Sequence, residues 1–113
     1  LGLYRDEHTA KPVEYYSKLP PGRPVDVALI LDPMLATGGS ACLAGETLQR
    51  WGVPRIKLLA LIAAPEGIHE FQARCPSAEI HVCAVDECLN DRKFIVPGLG
   101  DAGDRIFNTL GSA

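Results

Sequence analysis

The sequence is short of most features that mark a specialised surface. Of its 113 residues only 6% are aromatic, and there is a single tryptophan and a single methionine. Charge is nearly balanced, with 11 Lys and Arg against 14 Asp and Glu and a net charge of −3. Such a balance offers no electrostatic footprint for a nucleic acid polymer or an anionic membrane. No apolar run approaches the length of a membrane span. The chain opens LGLYRDEHTAKP, with charge and proline where a signal peptide needs an apolar stretch. A cytoplasmic location is therefore expected. The same opening lacks methionine and reads as the interior of something longer, so a parent protein is expected. Internal repeats and low-complexity tracts are lacking too.

Cysteine is present four times, at Cys42, Cys75, Cys83 and Cys88, but no pair has C-x-x-C spacing. Reduced, mostly buried thiols are the expectation. Cys83 and Cys88 with one of His8, His69 or His81 make no recognisable ligand spacing, and no metal-binding residues are assigned.

What is abundant is aliphatic. The composition is 47% hydrophobic, enough to build a core for one domain spanning residues 1–113. VDVALIL at 25–31 is too continuous for a half-exposed strand and suits a buried parallel one. Ala41, Ala44, Leu48 and Trp51 then share one helical face over 41–51, and Gly52 and Pro54 supply the stop. IKLLALI at 56–62 is a second strand. Pro65 fits a first helical position, Glu66 and Glu70 suit the positive end of that helix, and Ile68 and Phe71 point inward. Pro76 closes the helix, and IHVCAV at 80–85 is a third strand. Strands alternating with helices predict an α/β fold, a parallel sheet with flanking helices. Ligands then belong beyond the carboxyl ends of the strands. Residues 8–24, rich in proline, tyrosine and charge, read as an exposed hairpin arm.

The first strand ends in Asp32-Pro33-Met34-Leu35, then Ala36-Thr37-Gly38-Gly39-Ser40, then helix. Amides at a helix N-terminus attract anions, and a phosphate must come close to the backbone to use them. Gly38 and Gly39 clear side chains from that point. Thr37 and Ser40 add hydroxyl donors, and Ser40 can also cap. A carboxylate at Asp32 would repel the phosphate itself and better suits ribose hydroxyls one sugar away. The loop lacks the Gly-Lys-Ser/Thr of a Walker sequence. Gly98-Leu99-Gly100-Asp101-Ala102-Gly103 has the spacing of a dinucleotide fingerprint in the wrong context. Only ten residues follow it, too few for the helix and strand that a dinucleotide site needs. Its glycines better serve a backbone that wraps closely round a small flat ligand.

ALILDPMLATGGSA resembles the 5-phosphoribosyl pyrophosphate (PRPP) signature of type I phosphoribosyltransferases, with Asp32-Pro33 where most of that family has two adjacent acids. Together with GLYRDE, AAPEG and IVPGLGDAGDR in the same order, the chain resembles the C-terminal portion of the uracil phosphoribosyltransferase family. The resemblance implies a type I phosphoribosyltransferase-like fold, here an incomplete domain. It implies transfer of phosphoribose from PRPP to uracil, giving UMP and pyrophosphate in pyrimidine salvage. By position it assigns PRPP binding to Arg5, Asp32, Pro33, Met34, Leu35, Ala36, Thr37, Gly38, Gly39, Ser40 and Asp101. Uracil falls to Ile95, Gly100, Asp101 and Ala102, and a catalytic role to Asp101. It implies Mg²⁺ arriving with PRPP, GTP as an allosteric effector, and a homo-oligomer. Cys88 and Lys93-Phe94 depart from the family pattern, which touches loop packing more than the backbone contacts. The family's amino-terminal half, with its pyrophosphate loop, is absent from the sequence, so this span alone is expected to be catalytically deficient.

Two rivals stand beside that reading: a non-catalytic nucleotide-binding or regulatory homologue, and transfer to another base. Asp104 and Arg105 suit an ion pair or a helix start as well as ligand contact. Trp51 reads as core, and the three histidines as packing or solvent residues.

Overall fold

The computed structural model describes residues 1–9 and 11–109. Near the start, β1 (Gly2–Arg5) pairs antiparallel with β2 (Pro12–Tyr16). The turn between them is tied by Asp6, whose Oδ1 accepts the N–H groups of His8 and Thr9 at 2.9 and 2.8 Å. Those bonds hold the Asp6 carboxyl below the usual carboxylate range. This is where the sequence placed an arm at 8–24; the second strand lies within that stretch and its partner lies before it.

β3 (Val27–Leu31) and β4 (Met34–Leu35) both run parallel to β5 (Arg55–Ala63) along one edge. Leu31 sits opposite Leu59 and Met34 opposite Ile62, so the register never shifts. The Asp32 N–H still donates to Leu59, and the Pro33 carbonyl still accepts from Leu61 and Ile62. The Asp32 amide faces β5, so the amide position of Pro33 faces away from it and costs no rung; the ladder is interrupted where the Pro33 carbonyl takes two successive β5 amides. β6 (Glu79–Val85) adds to the other side of β5, again parallel.

α1 (Gly39–Trp51) and α2 (Pro65–Arg74) make the crossovers. Gly38 opens α1 at φ +85° and Gly52 closes it at φ +98°, both left-handed positions that favour glycine. Pro65 starts α2, where its missing N–H has no intrahelical partner to lose. Both helices lie on one face of the sheet, because they share a core with alternate strand residues. Ala41 and Cys42 of α1 meet Phe71 of α2 over Leu58 and Ala60, with Ile30, Ile80 and Val82 packed alongside. Gly45 lets the helices approach: a Cβ there would lie 2.7 Å from the Cys75 sulfur. After β6 the chain forms a short hairpin, β7 (Cys88–Leu89) with β8 (Ile95–Val96), and ends in α3 (Ala102–Phe107).

The α/β class with a parallel sheet is as expected, and Ile68, Phe71 and Trp51 pack inward. Two expectations fail. The run 25–31 does not form a strand buried on both faces: Leu29 and Leu31 are 56% and 72% exposed. Leu61 and Val85 are open on the same side, because among the described residues helices cover only the other face. The thiols are also divided. Cys42 and Cys75 are buried, but Cys83 and Cys88 are exposed, one on the open face and one at the hairpin edge.

Candidate functional site: two adjoining clefts at the strand ends

The carboxyl ends of β3, β5 and β6 bring the loop motifs together. Beyond β3, a cleft of about 430 Å³ is lined by Leu3 and Arg5 of β1, then Asp32, Met34 and the continuous run Ala36 to Ser40. The left-handed turn at Gly38 aims the chain into α1, whose first amides have no carbonyl four residues earlier within the helix. No acid occupies the first turn of α1 to oppose an anion. Thr37 Oγ1 accepts the Gly39 N–H at 3.3 Å, which fixes the hydroxyl against the turn. Ser40 does not cap: Gly38 is the cap and no side chain bonds there. Glycine is required at position 38 on two counts, since besides its dihedral a Cβ would lie 2.8 Å from the Gly67 carbonyl oxygen.

Asp32 stands at the inner wall of this cleft. Burial pushes its carboxyl above the usual value, while the Met34 N–H, donating to Oδ1 at 3.1 Å, and the Arg5 guanidinium pull the other way. An acid held in this way is an acceptor for hydroxyl groups.

A second cleft, about 240 Å³, adjoins the first and shares Arg5, Met34 and Ala36 with it. Its remaining wall is Lys93, Phe94, Ile95, Gly100, Asp101, Ala102 and Gly103. Gly100 has φ +80°, a left-handed position that favours glycine, and the space where a Cβ would stand is open. Asp101 caps α3 by accepting the Asp104 N–H at 2.9 Å. One of its oxygens is thus occupied and the other is free to face the cleft. The structure therefore gathers Arg5, Asp32, Met34 and Ala36 to Ser40 in one cleft. Ile95, Gly100, Asp101 and Ala102 gather in the next. Pro33 and Leu35 stand apart from both: Leu35 is buried in the core, and Pro33 lines a recess on the open sheet face.

Several residues of this region carry no sequence signal for a site. Lys93 and Phe94, expected to bear on loop packing, line the second cleft itself. Glu66 accepts the Leu89 N–H at 2.6 Å, Asp86 the Gly98 N–H at 3.1 Å, and Arg105 Nε donates to the Leu99 carbonyl at 2.6 Å. The nearest hint in sequence is the acid ending the third strand, Asp86, which repeats the placement of Asp32 at the end of the first. Asp104 and Arg105 do not pair with each other; Asp104 accepts the Thr109 hydroxyl.

The family model described as uracil phosphoribosyltransferase matches residues 1–109. A uracil phosphoribosyltransferase of Roseiflexus sp. (strain RS-1) is 62% identical over 109 residues, covering 96% of this chain and 52% of the relative. The enzyme of the same name from Thermus thermophilus is 54% identical over the same shares. Among solved structures, the AQ2163 protein from Aquifex aeolicus superposes with a TM-score of 0.86 at 42% identity. It spans 94% of this chain and 50% of that one. The chain thus spans about half the length of the relatives it matches. With the family model matching nearly the whole span and relatives more than half identical to it, the chain belongs to the uracil phosphoribosyltransferase family.

Proposed function

We propose that the two clefts hold PRPP and uracil, and that the protein carrying them transfers phosphoribose to uracil, giving UMP and pyrophosphate. One observation carries this reading. A glycine-lined anion cradle and a cavity walled by open backbone share Arg5, Met34 and Ala36, so a phosphorylated sugar in one reaches a base in the other. The loop from Ala36 to Ser40, at the start of α1, holds the 5′-phosphate. Asp32 accepts from the ribose hydroxyls, and Pro33 and Leu35 serve by keeping the strand end in place. Arg5 donates to the pyrophosphate oxygens.

Uracil offers alternating carbonyl and N–H groups along one edge. Backbone groups at Ile95, Gly100 and Ala102 match that edge without side chains. Cytosine presents an amine where uracil has a carbonyl, which would leave polar groups unpaired. In the reaction N1 of uracil bonds to C1′ as the C1′–oxygen bond to pyrophosphate breaks. The electron pair leaves with pyrophosphate, and the N1 proton passes to water. Positive charge builds on the sugar, and the carboxylate of Asp101, a residue of the second cleft's wall, stabilises it in this reading. Holding N1 against C1′ does the rest, with no covalent intermediate. The clefts fit a Mg²⁺ that arrives on substrate phosphates, because that ion keeps several waters and asks for only one or two carboxylates, here Asp32 and Asp101. When bound it neutralises charge on the leaving pyrophosphate.

The test is an assay of the full gene product with PRPP and each free base, beside a UMP titration of the 113-residue span. UMP formation from uracil alone is expected, with at least a ~100-fold fall in kcat/KM for Asp101→Asn, the scale of losing one charge-stabilising group. The isolated span should bind UMP yet turn over poorly. Tight UMP binding without turnover by the full gene product favours a non-catalytic homologue, and turnover of another base reassigns the second cleft.

A further inference from the structure

A recognition site made of backbone has no side chains of its own to fix it, so something outside the site must. The segment Ile95 to Ala102 leaves the sheet at β8 and turns through Gly98, where a Cβ would collide with the Ile95 carbonyl oxygen. Two charged side chains grip this turn from opposite directions along the chain. Asp86, just past the end of β6, accepts the Gly98 N–H at 3.1 Å. Its own N–H donates to the Ala63 carbonyl at 2.8 Å, which anchors it to the end of β5. Arg105, in α3, donates from Nε to the Leu99 carbonyl at 2.6 Å. The two grips fall on consecutive residues, immediately before Gly100. Bonds of this kind, with one partner charged, are shorter and stronger than neutral ones.

We infer that Asp86 and Arg105 are positioning residues that set base specificity by holding the Gly98–Leu99 backbone so that Gly100 presents its polar groups to the base. The inference rests on the second cleft being the base site. Neither side chain lines that cleft, so neither touches substrate. Asp86 transmits the position of the sheet's end, the same end that carries the phosphate cradle, and Arg105 transmits the position of α3. Specificity is therefore set by where two carriers stand relative to each other and not by a side chain that reads the base.

The experiment compares affinity for UMP with affinity for ribose 5-phosphate by calorimetry on the full gene product. The ratio isolates the base, because the sugar phosphate is common to both. For Asp86→Ala the ratio should fall about fivefold to tenfold, and for Arg105→Met, whose bond is more exposed, about threefold. Ribose 5-phosphate affinity should stay within about twofold, since the cradle is untouched, whereas general loosening would weaken both ligands. Asp86→Asn keeps an acceptor oxygen and should hold the ratio within about twofold of the parent. It also serves as the test if the alanine variant does not fold, because a ratio lost in Asp86→Asn with ribose 5-phosphate affinity intact contradicts the geometry. If the parent protein prefers UMP and Asp86→Ala and Arg105→Met keep that preference, the inference is wrong. If the parent shows no preference for UMP, the base-site assignment itself fails, and the inference with it.

Discussion

Asp32 shows how a single residue can weigh against the fold that holds it. Its carboxyl is raised above the ordinary value mainly because burial disfavours the charge. The sign follows directly. The folded chain binds this proton more readily than the unfolded chain, so the group's contribution to stability is full at low pH. It is lost as pH rises from the ordinary carboxylate value through the raised one. At neutral pH the ionised Asp32 is therefore a burden on the fold. Asp32→Asn keeps an acceptor for the Met34 N–H and removes the charge. It should melt roughly 2–4 °C higher at pH 7, a gain that disappears near pH 3, where both states of the parent are protonated. UMP affinity should fall at the same time. Thermal unfolding at the two pH values checks it, and a variant less stable at pH 7 would refute the desolvation account. The sequence already placed this acid at a strand end and assigned it to ribose. Its burial was not legible, because that depends on what the fold gathers around the strand end, with Arg5 brought near from far along the chain.

At the scale of elements, α2 and the loop from Ala36 to Ser40 meet backbone to backbone. A Cβ on Gly67 would overlap the Ala36 carbonyl, and one on Gly38 would press on the Gly67 carbonyl oxygen. The two glycines thus answer each other across 29 residues of sequence. AAPEG could be read locally for Pro65 as a helix start and Glu66 as a dipole partner. Nothing local explains its glycine, because the reason is a neighbour brought in by the crossover. Glu66 was legible only in part: it stands in the first turn of α2 as its charge suggests, and its carboxylate also holds the β7 hairpin through Leu89. Gly67→Ala should destabilise the fold by about 1–3 kcal/mol, the usual range for overpacking a tight contact. Because Ala36 must yield, it should also weaken ribose 5-phosphate binding. Urea unfolding and a ligand titration measure the two effects separately, and a variant that loses neither would mean the loop tolerates the shift.

Across the whole molecule the sheet is dressed on one side only. The aliphatic runs 25–31 and 56–62 are written for a sheet covered on both faces, which is why they read as fully buried strands. The described residues supply cover for one. The sequence therefore speaks of more fold than this span contains, in keeping with a match to half of each relative. Exposed leucines in a row should bind an apolar dye such as ANS in the isolated span. Leu31→Glu with Leu61→Lys should suppress that signal while the melting temperature stays within ~2 °C, since neither side chain packs in the core. Unchanged dye binding would place the adhesive surface elsewhere. The break in the ladder at Pro33 acts on time as well as shape. Opening needs to break fewer bonds at the ligand end of this edge than at its centre, so amides from Met34 to Ser40 should exchange with solvent before those of β5. The loop from Ala36 to Ser40 then breathes while the sheet stays shut, and any ligand that settles on it becomes readable as the slowing of a few local clocks.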